Sequence, residues 1–325
     1  MGNIKKIGIL TSGGDAPGMN AAIRGAVRQA NALGIDAYGI YRGYQGIVDN
    51  DWRPLTTRQC ANILQRGGTI LNTARCLSFK VPAVRAQAAK DLREAGIDAL
   101  VVIGGDGSFT GANLLYKEHG IPVAGIPGTI DNDLPGTDRT LGFDTALNTA
   151  VDAIDRIRDT ASAHERLFLV EVMGRSSGMI AVHTALACGA EAVVYPEADS
   201  TYEGLVEQLK AGWERGKRSS IVVVAEADGQ GNAYHMAERL KADYDLDLRV
   251  VVLGHIQRGG TPTALDRIWG SRWGSEAVIR LARGEAGFYL GVLHNELIAQ
   301  PLERIMDPRP EPPRYLAELV EVLSR

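Results

Sequence analysis

Two aspartates separated by one residue raise the first chemical question. The segment "PGTIDND" (127–133) places Asp131 and Asp133 directly after the apolar run "IPVAGI". Such a pair is a solvent-exposed acidic turn, a metal site or a catalytic base. In an extended segment, alternation would point both carboxylates to one side and Asn132 to the other. One carboxylate would then stay beside a metal ion while the other accepts a proton from an attacking hydroxyl.

Two glycine-rich segments offer their backbone to an anion. "TSGGDAPG" contains Gly13 and Gly14, and "GGDGS" contains Gly104, Gly105 and Gly107. One loop of this kind is more often a tight strand-to-helix turn, but two such loops, each with a carboxylate, favour a phosphate and a divalent cation. Neither segment fits GxGxxG or GxxxxGK[ST], so a dinucleotide fold and a P-loop are both poorly supported.

Asp106 lies among the glycines of the second segment. It is either a helix-capping residue or a ligand of Mg²⁺, which takes one or two carboxylates together with waters and substrate phosphates. The second acidic segment, 127–133, favours the metal ligand.

Several arginines are predicted to lie in loops, where they would balance an anionic substrate. A lone arginine is usually a solvated surface residue. "GHIQRGG" differs because His255 and Arg258 lie between glycines, which is typical of a phosphate pocket, although His255 alone is better explained by a structural hydrogen bond. No HExxH, Cys/His cluster, GxSxG or SxxK motif is present, which argues against hydrolase and zinc chemistry. The candidate loop cations are Arg75, Arg166, Arg175, Arg249 and Arg258.

The elements that position these residues follow a repeated pattern. Short β-branched runs, each followed by a turn and a helical pattern, occur in "KIGILTSGG", "IDALVVIGGDGS", "RLFLVEVMG" and "SSIVVVAEADG". Continuous apolar strands that alternate with helices predict an α/β doubly wound fold with parallel strands. Ligands of such folds bind at the carboxyl ends of the strands, where the glycine and aspartate motifs fall.

A short internal repeat indicates two domains. Residues 14–21 and 174–181 share the pattern Gly-x-x-x-Gly-Met-x-Ala, and each follows an apolar strand. We therefore predict two similar doubly wound (Rossmann-like) domains with mainly parallel sheets and an active-site cleft between them. The helix predicted over 144–164 begins the second domain, and the Pro-rich stretch 306–314 is a tether before a final helix. The predicted boundaries are 1–142 plus 256–300 for the first domain and 143–255 plus 301–325 for the second.

Composition narrows the class of protein further. The 325 residues are 45% hydrophobic and carry a formal net charge of −4, so we expect no nucleic-acid partner. Polar residues interrupt every apolar run, so we expect no membrane span. Three scattered cysteines suggest no disulfide framework, and the N-terminus has no signal-peptide pattern. A cytoplasmic protein is the expectation.

Five motifs together resemble the bacterial ATP-dependent 6-phosphofructokinase family. They are "LTSGGDAPGMNAAIRG", "GGDGS", "PGTIDND", "VEVMGR" and "LGHIQRGG", in the family's order and spacing over roughly residues 4 to 300. GGDG alone also occurs in NAD kinases and lipid kinases, whereas the set of five is specific. The resemblance implies a glycolytic, allosteric homotetramer that transfers the γ-phosphoryl group of MgATP to the 1-hydroxyl of fructose 6-phosphate.

The resemblance also implies roles for individual residues. Asp131 would be the base, Asp133 and Thr129 would support the metal and the transferred phosphoryl group, and Asp106 would bind Mg²⁺. The first domain would then bind ATP and the second the sugar phosphate. The implied catalytic set is Gly14, Thr129, Asp131, Asp133 and Arg175, and the implied nucleotide-binding set is Gly14, Tyr44, Arg75, Cys76, Gly105, Asp106, Gly107, Ser108 and Gly111. The implied sugar-phosphate set is Thr129, Asp131, Arg166, Met173, Gly174, Arg175, Glu226, Arg249, His255 and Arg258, with Arg166 and Arg249 reaching a neighbouring subunit's site.

Two glycines bear on the phosphoryl donor. Pyrophosphate-dependent relatives carry Asp where Gly107 lies and Lys where Gly128 lies, so glycine at both favours ATP. Cys76 departs from the aromatic residue common after this arginine, which leaves the adenine and ribose contacts open. The alternatives are a pyrophosphate-dependent enzyme, a kinase for another small acceptor, and an inactive nucleotide sensor.

The resemblance implies an effector site as well. The matching residues are Arg24, Arg28, Arg158, Glu191, Arg215 and Lys217. Thr57 and Ser219 stand where the family often has Arg and His, which removes potential phosphate contacts. We therefore expect altered or weaker allostery.

Overall fold

The chain consists of two compact units. The computed structural model describes residues 4–198, 201–226 and 233–325. The first unit comprises Met1–Ile130, Leu134–Thr145 and Arg258–Arg309, and the second comprises Asp131–Asp133, Ala146–Gln257 and Pro310–Arg325. These units differ from the predicted boundaries over residues 131–133, 143–145, 256–257 and 301–309. Residues 301–309 lie in the first unit because the 3₁₀ turn Leu302–Met306 packs there.

Strands and helices alternate along most of the chain. The strands are β1 Lys6–Ser12, β2 Asp36–Ile40, β3 Trp52–Pro54, β4 Ala99–Gly104, β5 Val123–Thr129, β6 Leu141–Gly142, β7 Leu167–Val172, β8 Ala192–Val194, β9 Ser220–Ala225, β10 Leu248–Val252, β11 Phe288–Leu293 and β12 Glu296–Pro301. The helices are α1 Met19–Ala32, α2 Tyr44–Val48, α3 Pro82–Glu94, α4 Asp106–His119, α5 Phe143–His164, α6 Met179–Cys188, α7 Tyr202–Glu214, α8 Ala233–Tyr244, α9 Ala264–Ala282 and α10 Arg314–Leu323.

The first unit is built on a mainly parallel sheet. In its described part the strand order is β12-β11-β5-β4-β1-β2-β3, with β6 paired to β5, and only β3 and β12 are antiparallel to their neighbours. All six residues of β4 are buried, as expected for a central strand covered on both faces. Helices α1 and α9 pack closely, since a Cβ at Gly274 would lie only 2.1 Å from the Ala22 carbonyl oxygen. This close packing requires glycine at position 274.

The second unit carries a smaller parallel sheet. The order in its described part is β10-β7-β9-β8, and β7 is buried along its whole length. Apolar residues of this sheet pack against α7 and α8 in one core cluster. Two Rossmann-like sheets are therefore present, which confirms the predicted fold class. Among the described residues, none of the helices is long and apolar enough to cross a membrane.

Candidate active site

The first glycine loop follows β1 in the first unit. Gly13 adopts a positive φ of 87°, and its carbonyl accepts a hydrogen bond from the Thr73 hydroxyl. Arg258 lies against the next residue, because a Cβ at Gly14 would be 1.7 Å from Arg258 Nη1. The structure therefore brings together Gly14 and Arg258, an exposed backbone and a guanidinium that are both suited to bind phosphate.

The second glycine segment is partly helical. Helix α4 begins at Asp106 after the N-cap residue Gly105, so Asp106, Gly107 and Ser108 form its first turn. Asp106 is therefore not the helix-capping residue, which is Gly105. The Ser108 amide donates to the Gly105 carbonyl at 3.0 Å, and the positive end of the helix dipole at this turn favours an anion. The Ser108 hydroxyl lies 3.5 Å from the Cβ position of Gly13, so the two glycine segments are neighbours.

Asp106 forms an ion pair that the sequence did not predict. Arg309 Nη2 lies 2.7 Å from Asp106 Oδ2, and both side chains are partly exposed. Among the described residues, no group of three or more His, Cys, Asp or Glu side chains could hold a metal ion. A Mg²⁺ ion at Asp106 would thus have fewer than three ligands of these types among the described residues and would depend on phosphates and water for the others, which fits its usual chemistry.

Tyr44 supports the first turn of α4 from the interior. Its side chain is buried, its hydroxyl donates to the Ser108 carbonyl, and its ring stacks on Phe79 with centroids 4.3 Å apart. Burial raises the pKa of Tyr44 far above its usual range. Gly111 faces the same ring, since a Cβ there would lie 3.0 Å from Tyr44 Cζ. The Tyr44 side chain therefore contacts the first turns of α4 on their buried side, at Ser108 and Gly111.

Arg75 and Cys76 lie in the irregular segment before the 3₁₀ turn Leu77–Lys80. Arg75 is exposed, and Cys76 Sγ lies 3.4 Å from Ser78 Oγ. Phe79 of this turn stacks on Tyr44, so the turn packs against the residue that supports α4. The turn that follows Arg75 and Cys76 is thus connected to α4 through Tyr44.

The aspartate segment is not extended. Strand β5 ends at Thr129, and Asn132 adopts a left-handed φ of 49°, which asparagine tolerates better than most residues. The condition for alternation is therefore not met, so the strand pattern does not place Asp131 and Asp133 on one side. Asp131 is only 7% exposed, whereas Asp133 is half-buried.

A turn of the second unit holds the backbone of Asp131. Segment 173–178 follows β7, and the Ser177 hydroxyl donates to the Asp131 carbonyl at 3.1 Å. Gly174 and Arg175 in this segment have φ values of 146° and 51°. The amide of Glu226 donates to the Val172 carbonyl at 2.7 Å, which places Glu226 beside the start of the segment. The second unit thus gathers Asp131, Met173, Gly174, Arg175 and Glu226.

Two predicted sugar-phosphate residues lie elsewhere in the second unit. Arg166 precedes β7, and Arg249 pairs in register with Phe168 near the start of that strand. Arg249 was predicted to lie in a loop, but it is part of β10, and its guanidinium bonds Asp247 Oδ1 at 2.7 Å. Both arginines are at the amino ends of their strands, whereas Met173 and His255 follow the carboxyl ends. Within one chain the structure does not bring Arg166 and Arg249 to Asp131.

Comparisons with known proteins identify the family. The family model described as Phosphofructokinase matches residues 6–281. The chain belongs to the phosphofructokinase family. It is 53% identical over 321 residues to the ATP-dependent 6-phosphofructokinase 1 of Thermus thermophilus, with 99% of this chain and all of that protein covered. It is 50% identical to the ATP-dependent 6-phosphofructokinase 2 of Bacteroides thetaiotaomicron, and both chains are covered completely. The resemblance predicted from the five motifs is confirmed.

A solved phosphofructokinase structure has the same fold as this chain. The chain superposes on phosphofructokinase from Saccharomyces cerevisiae with a TM-score of 0.86 and 34% identity. The match covers 98% of this chain and 47% of the yeast chain, so this phosphofructokinase spans about half the length of that relative.

The predicted effector residues of this phosphofructokinase fall into both units. In the second unit, Lys217 Nζ lies 3.3 Å from Glu191 Oε1 and donates to the Ser324 carbonyl at 2.6 Å. Arg158 donates to the Cys188 and Gly189 carbonyls, close to Glu191 along the chain. Arg215 is exposed beside this cluster in sequence, whereas Arg24 and Arg28 lie on α1 of the first unit. The structure brings Glu191 and Lys217 together.

Sequence reasoning missed several residues that shape the site of this phosphofructokinase. Thr73 and Ser177 hold the backbone of Gly13 and Asp131, and Gln257 accepts a hydrogen bond from Met173. Gln257 and Ser177 lie inside or beside motifs that were recognised for their charged and glycine residues. Arg309 is 203 positions from Asp106 and belongs to none of the motifs, so no local signal indicates it.

Proposed function

We propose that this protein transfers the γ-phosphoryl group of MgATP to the 1-hydroxyl of fructose 6-phosphate, which gives fructose 1,6-bisphosphate and ADP as a step of glycolysis. The observation that carries the proposal is 53% identity, over essentially both full chains, to a protein named ATP-dependent 6-phosphofructokinase. The arrangement of the glycine segments and of Asp131 supports it.

Asp131 is the proposed base. Phosphoryl transfer requires an acceptor for the proton of the attacking hydroxyl, together with positioning and charge neutralisation. Asp131 is buried, and the Ser177 hydroxyl holds its backbone carbonyl. Because the backbone is held in this way, only the side chain has to be ordered when the sugar hydroxyl binds. In the proposal Thr129 contacts the transferred group, and Asp133 orients the groups around it.

The donor phosphates would lie at the glycine segments of the first unit. Gly14 offers an exposed amide, and the first turn of α4 offers N–H groups at a positive dipole end. Arg75 supplies a further cation. Mg²⁺ would bind Asp106 and supply charge neutralisation for the phosphates. Before this happens, the Arg309 guanidinium has to release or share the Asp106 carboxylate.

The second unit would hold the sugar phosphate. Met173, Gly174, Arg175 and Glu226 follow the carboxyl ends of β7 and β9, and His255 follows β10. Arg258, which belongs to the first unit, is proposed to bind the 6-phosphate. Arg166 and Arg249 lie away from these residues within one chain, and we propose that they act in a neighbouring subunit of a homotetramer.

The first experiment measures phosphorylation of fructose 6-phosphate with Mg²⁺ and either ATP or pyrophosphate. Product with ATP alone is expected. Activity with pyrophosphate alone would keep Asp131 as the base and would overturn the choice of donor. No product with either compound would favour another small acceptor or an inactive sensor.

Asp131→Asn tests the proposed base. The substitution keeps the size of the side chain and removes the proton acceptor, so kcat should fall roughly 10²- to 10⁴-fold while KM for both substrates changes little. Steady-state kinetics check this result, and direct ATP binding to the variant controls for folding. A kcat close to that of the natural enzyme would exclude Asp131 as the base.

A further inference from the structure

Gln257 is a fully buried polar residue that belongs to neither proposed binding set. It lies in the 3₁₀ turn Gly254–Arg258, ends a segment of the second unit, and has no solvent-exposed surface. Its Oε1 accepts a hydrogen bond from the Met173 backbone N–H at 2.8 Å, across 84 positions of sequence. Nε2 has no hydrogen-bond partner among the described residues.

The bond continues a strand pairing at the point where the backbone pairing stops. Strand β10 pairs with β7 up to Val252 and Glu171, and the Leu253 amide still donates to the Glu171 carbonyl at 3.0 Å. Met173 follows the last residue of β7, and the Gln257 side chain supplies the acceptor for its amide. The reverse orientation of the side-chain amide would place two donors face to face, so only Oε1 satisfies Met173.

The hydrogen bond between Gln257 and Met173 joins the two predicted sugar-phosphate segments. Met173 is buried and begins the segment that continues with Gly174 and Arg175, both at positive φ. Gln257 is two residues after His255 in the other predicted sugar-phosphate segment. One side chain therefore ties the end of β7 to the turn that carries His255. Without it, the Met173 amide would remain buried and unpaired, so the segment would have to move to satisfy it.

We propose that Gln257 is a positioning residue for the sugar phosphate, because it fixes segment 173–175 relative to His255. This inference rests on the proposed function. Gln257 acts through Met173, so its removal should weaken binding of the sugar phosphate and leave the nucleotide unaffected.

Two substitutions at this position separate positioning from folding. Gln257→Leu removes the acceptor at similar size, and Gln257→Glu keeps the oxygen that accepts from Met173. Gln208→Leu is the matched control, because Gln208 lies in the same unit and its side chain makes one backbone hydrogen bond, to the Glu191 carbonyl at 2.7 Å. The readouts are KM for fructose 6-phosphate, KM for ATP, kcat and the thermal midpoint.

Gln257→Leu should raise KM for fructose 6-phosphate roughly 5- to 100-fold, as expected for an unpaired buried amide, with KM for ATP almost unchanged. Gln257→Glu should recover most of this loss, and Gln208→Leu should behave as the natural enzyme. An unchanged KM in an active Gln257→Leu enzyme would overturn the inference, as would equal increases in both KM values. If Gln257→Leu does not fold, Gln257→Glu alone is the test. A Gln257→Glu enzyme whose KM for fructose 6-phosphate is raised by the same roughly 5- to 100-fold would then overturn the inference. A natural enzyme inactive on fructose 6-phosphate would instead overturn the proposed function.

Discussion

Gly107 and Gly128 both favour ATP in the sequence, but the space around them differs. A Cβ at Gly107 would have no neighbouring atom within 4 Å. A Cβ at Gly128 would lie 3.1 Å from both Ile103 Cγ2 and Met19 Cε in a buried strand. A side chain at position 107 would thus enter open space, whereas one at position 128 has to displace the core.

The two substitutions should therefore fail in different ways. Gly107→Asp should keep the thermal midpoint of the natural enzyme and lose ATP-dependent turnover, because its carboxylate would repel the donor phosphates. Gly128→Lys should lower the midpoint, since overpacking a core costs about 1–3 kcal/mol. Thermal unfolding and kinetics with ATP measure both effects. Gly107→Asn, which is uncharged and of equal size, separates repulsion from crowding. Full ATP turnover in Gly107→Asp would contradict the role of Gly107 in donor choice.

At the scale of elements, one side chain of α9 caps the start of α5. The Asp266 carboxylate accepts hydrogen bonds from the Gly142 amide at 2.9 Å and the Thr145 amide at 3.0 Å, and also from the Thr145 hydroxyl. Burial nevertheless raises the pKa of Asp266 to about 6, because its effect exceeds that of these hydrogen bonds, which lower the pKa. The cap satisfies orphan N–H groups of α5 but leaves a carboxylate in a desolvated place.

The raised pKa gives a pH dependence of stability with a definite sign. The folded state binds the Asp266 proton more tightly than the unfolded state does. The stabilisation by this proton is therefore complete below the unfolded pKa near 4 and is lost as pH rises through about 6. The loss amounts to roughly 3 kcal/mol at most.

Comparison with Asp266→Asn isolates this effect, because the variant cannot titrate at position 266. The thermal midpoint of the natural protein, relative to that of the variant, should decrease between about pH 4.5 and about pH 7. Scanning calorimetry of both proteins across this range makes the measurement. A difference that stays constant, or that grows with pH, would show that the folded pKa is not raised.

At the level of the whole molecule, Arg249 is, with Arg166, a residue that we propose reaches a sugar phosphate only in a neighbouring chain. Its side chain is exposed near the amino end of β10, away from the residues that follow the carboxyl ends of the same sheet. If it completes a neighbour's site, Arg249→Ala should raise KM for fructose 6-phosphate roughly 10- to 100-fold, as expected for loss of a charge-assisted hydrogen bond.

Mixed oligomers test where Arg249 acts. Subunits with Arg249→Ala and subunits with Asp131→Asn should recover activity when they are dissociated and reassembled together, because an intact Asp131 site would then receive Arg249 from its neighbour. Activity of the mixture and light scattering for the oligomeric state are the measurements. Arg156→Ala, whose guanidinium is exposed and pairs with Asp152 one turn away, is the control. No recovery in a proven mixed oligomer would place Arg249 in its own subunit's site.

The fold was predictable because its signals are local. Continuous apolar runs such as β4 and β7 identify parallel strands from their own residues, and the helical stripe over 144–164 agrees with α5 almost to the residue. The geometry of the aspartate segment was not predictable. Alternation holds only in an extended chain, and a single left-handed residue, Asn132, ends it. Likewise, Asp106 belongs to the first turn of α4 because that helix begins earlier than its apolar pattern does.

The sequence by itself determined the family, the α/β class and the identity of the candidate base, because motif residues and hydrophobic periodicity are properties of short segments. Only the tertiary structure decided which side chains hold those motifs in place: Gln257 on Met173, Ser177 on Asp131, and Arg309 on Asp106. Such hydrogen bonds join residues tens to hundreds of positions apart. They form only after the strands have assembled into sheets, so no local pattern of residue types records them.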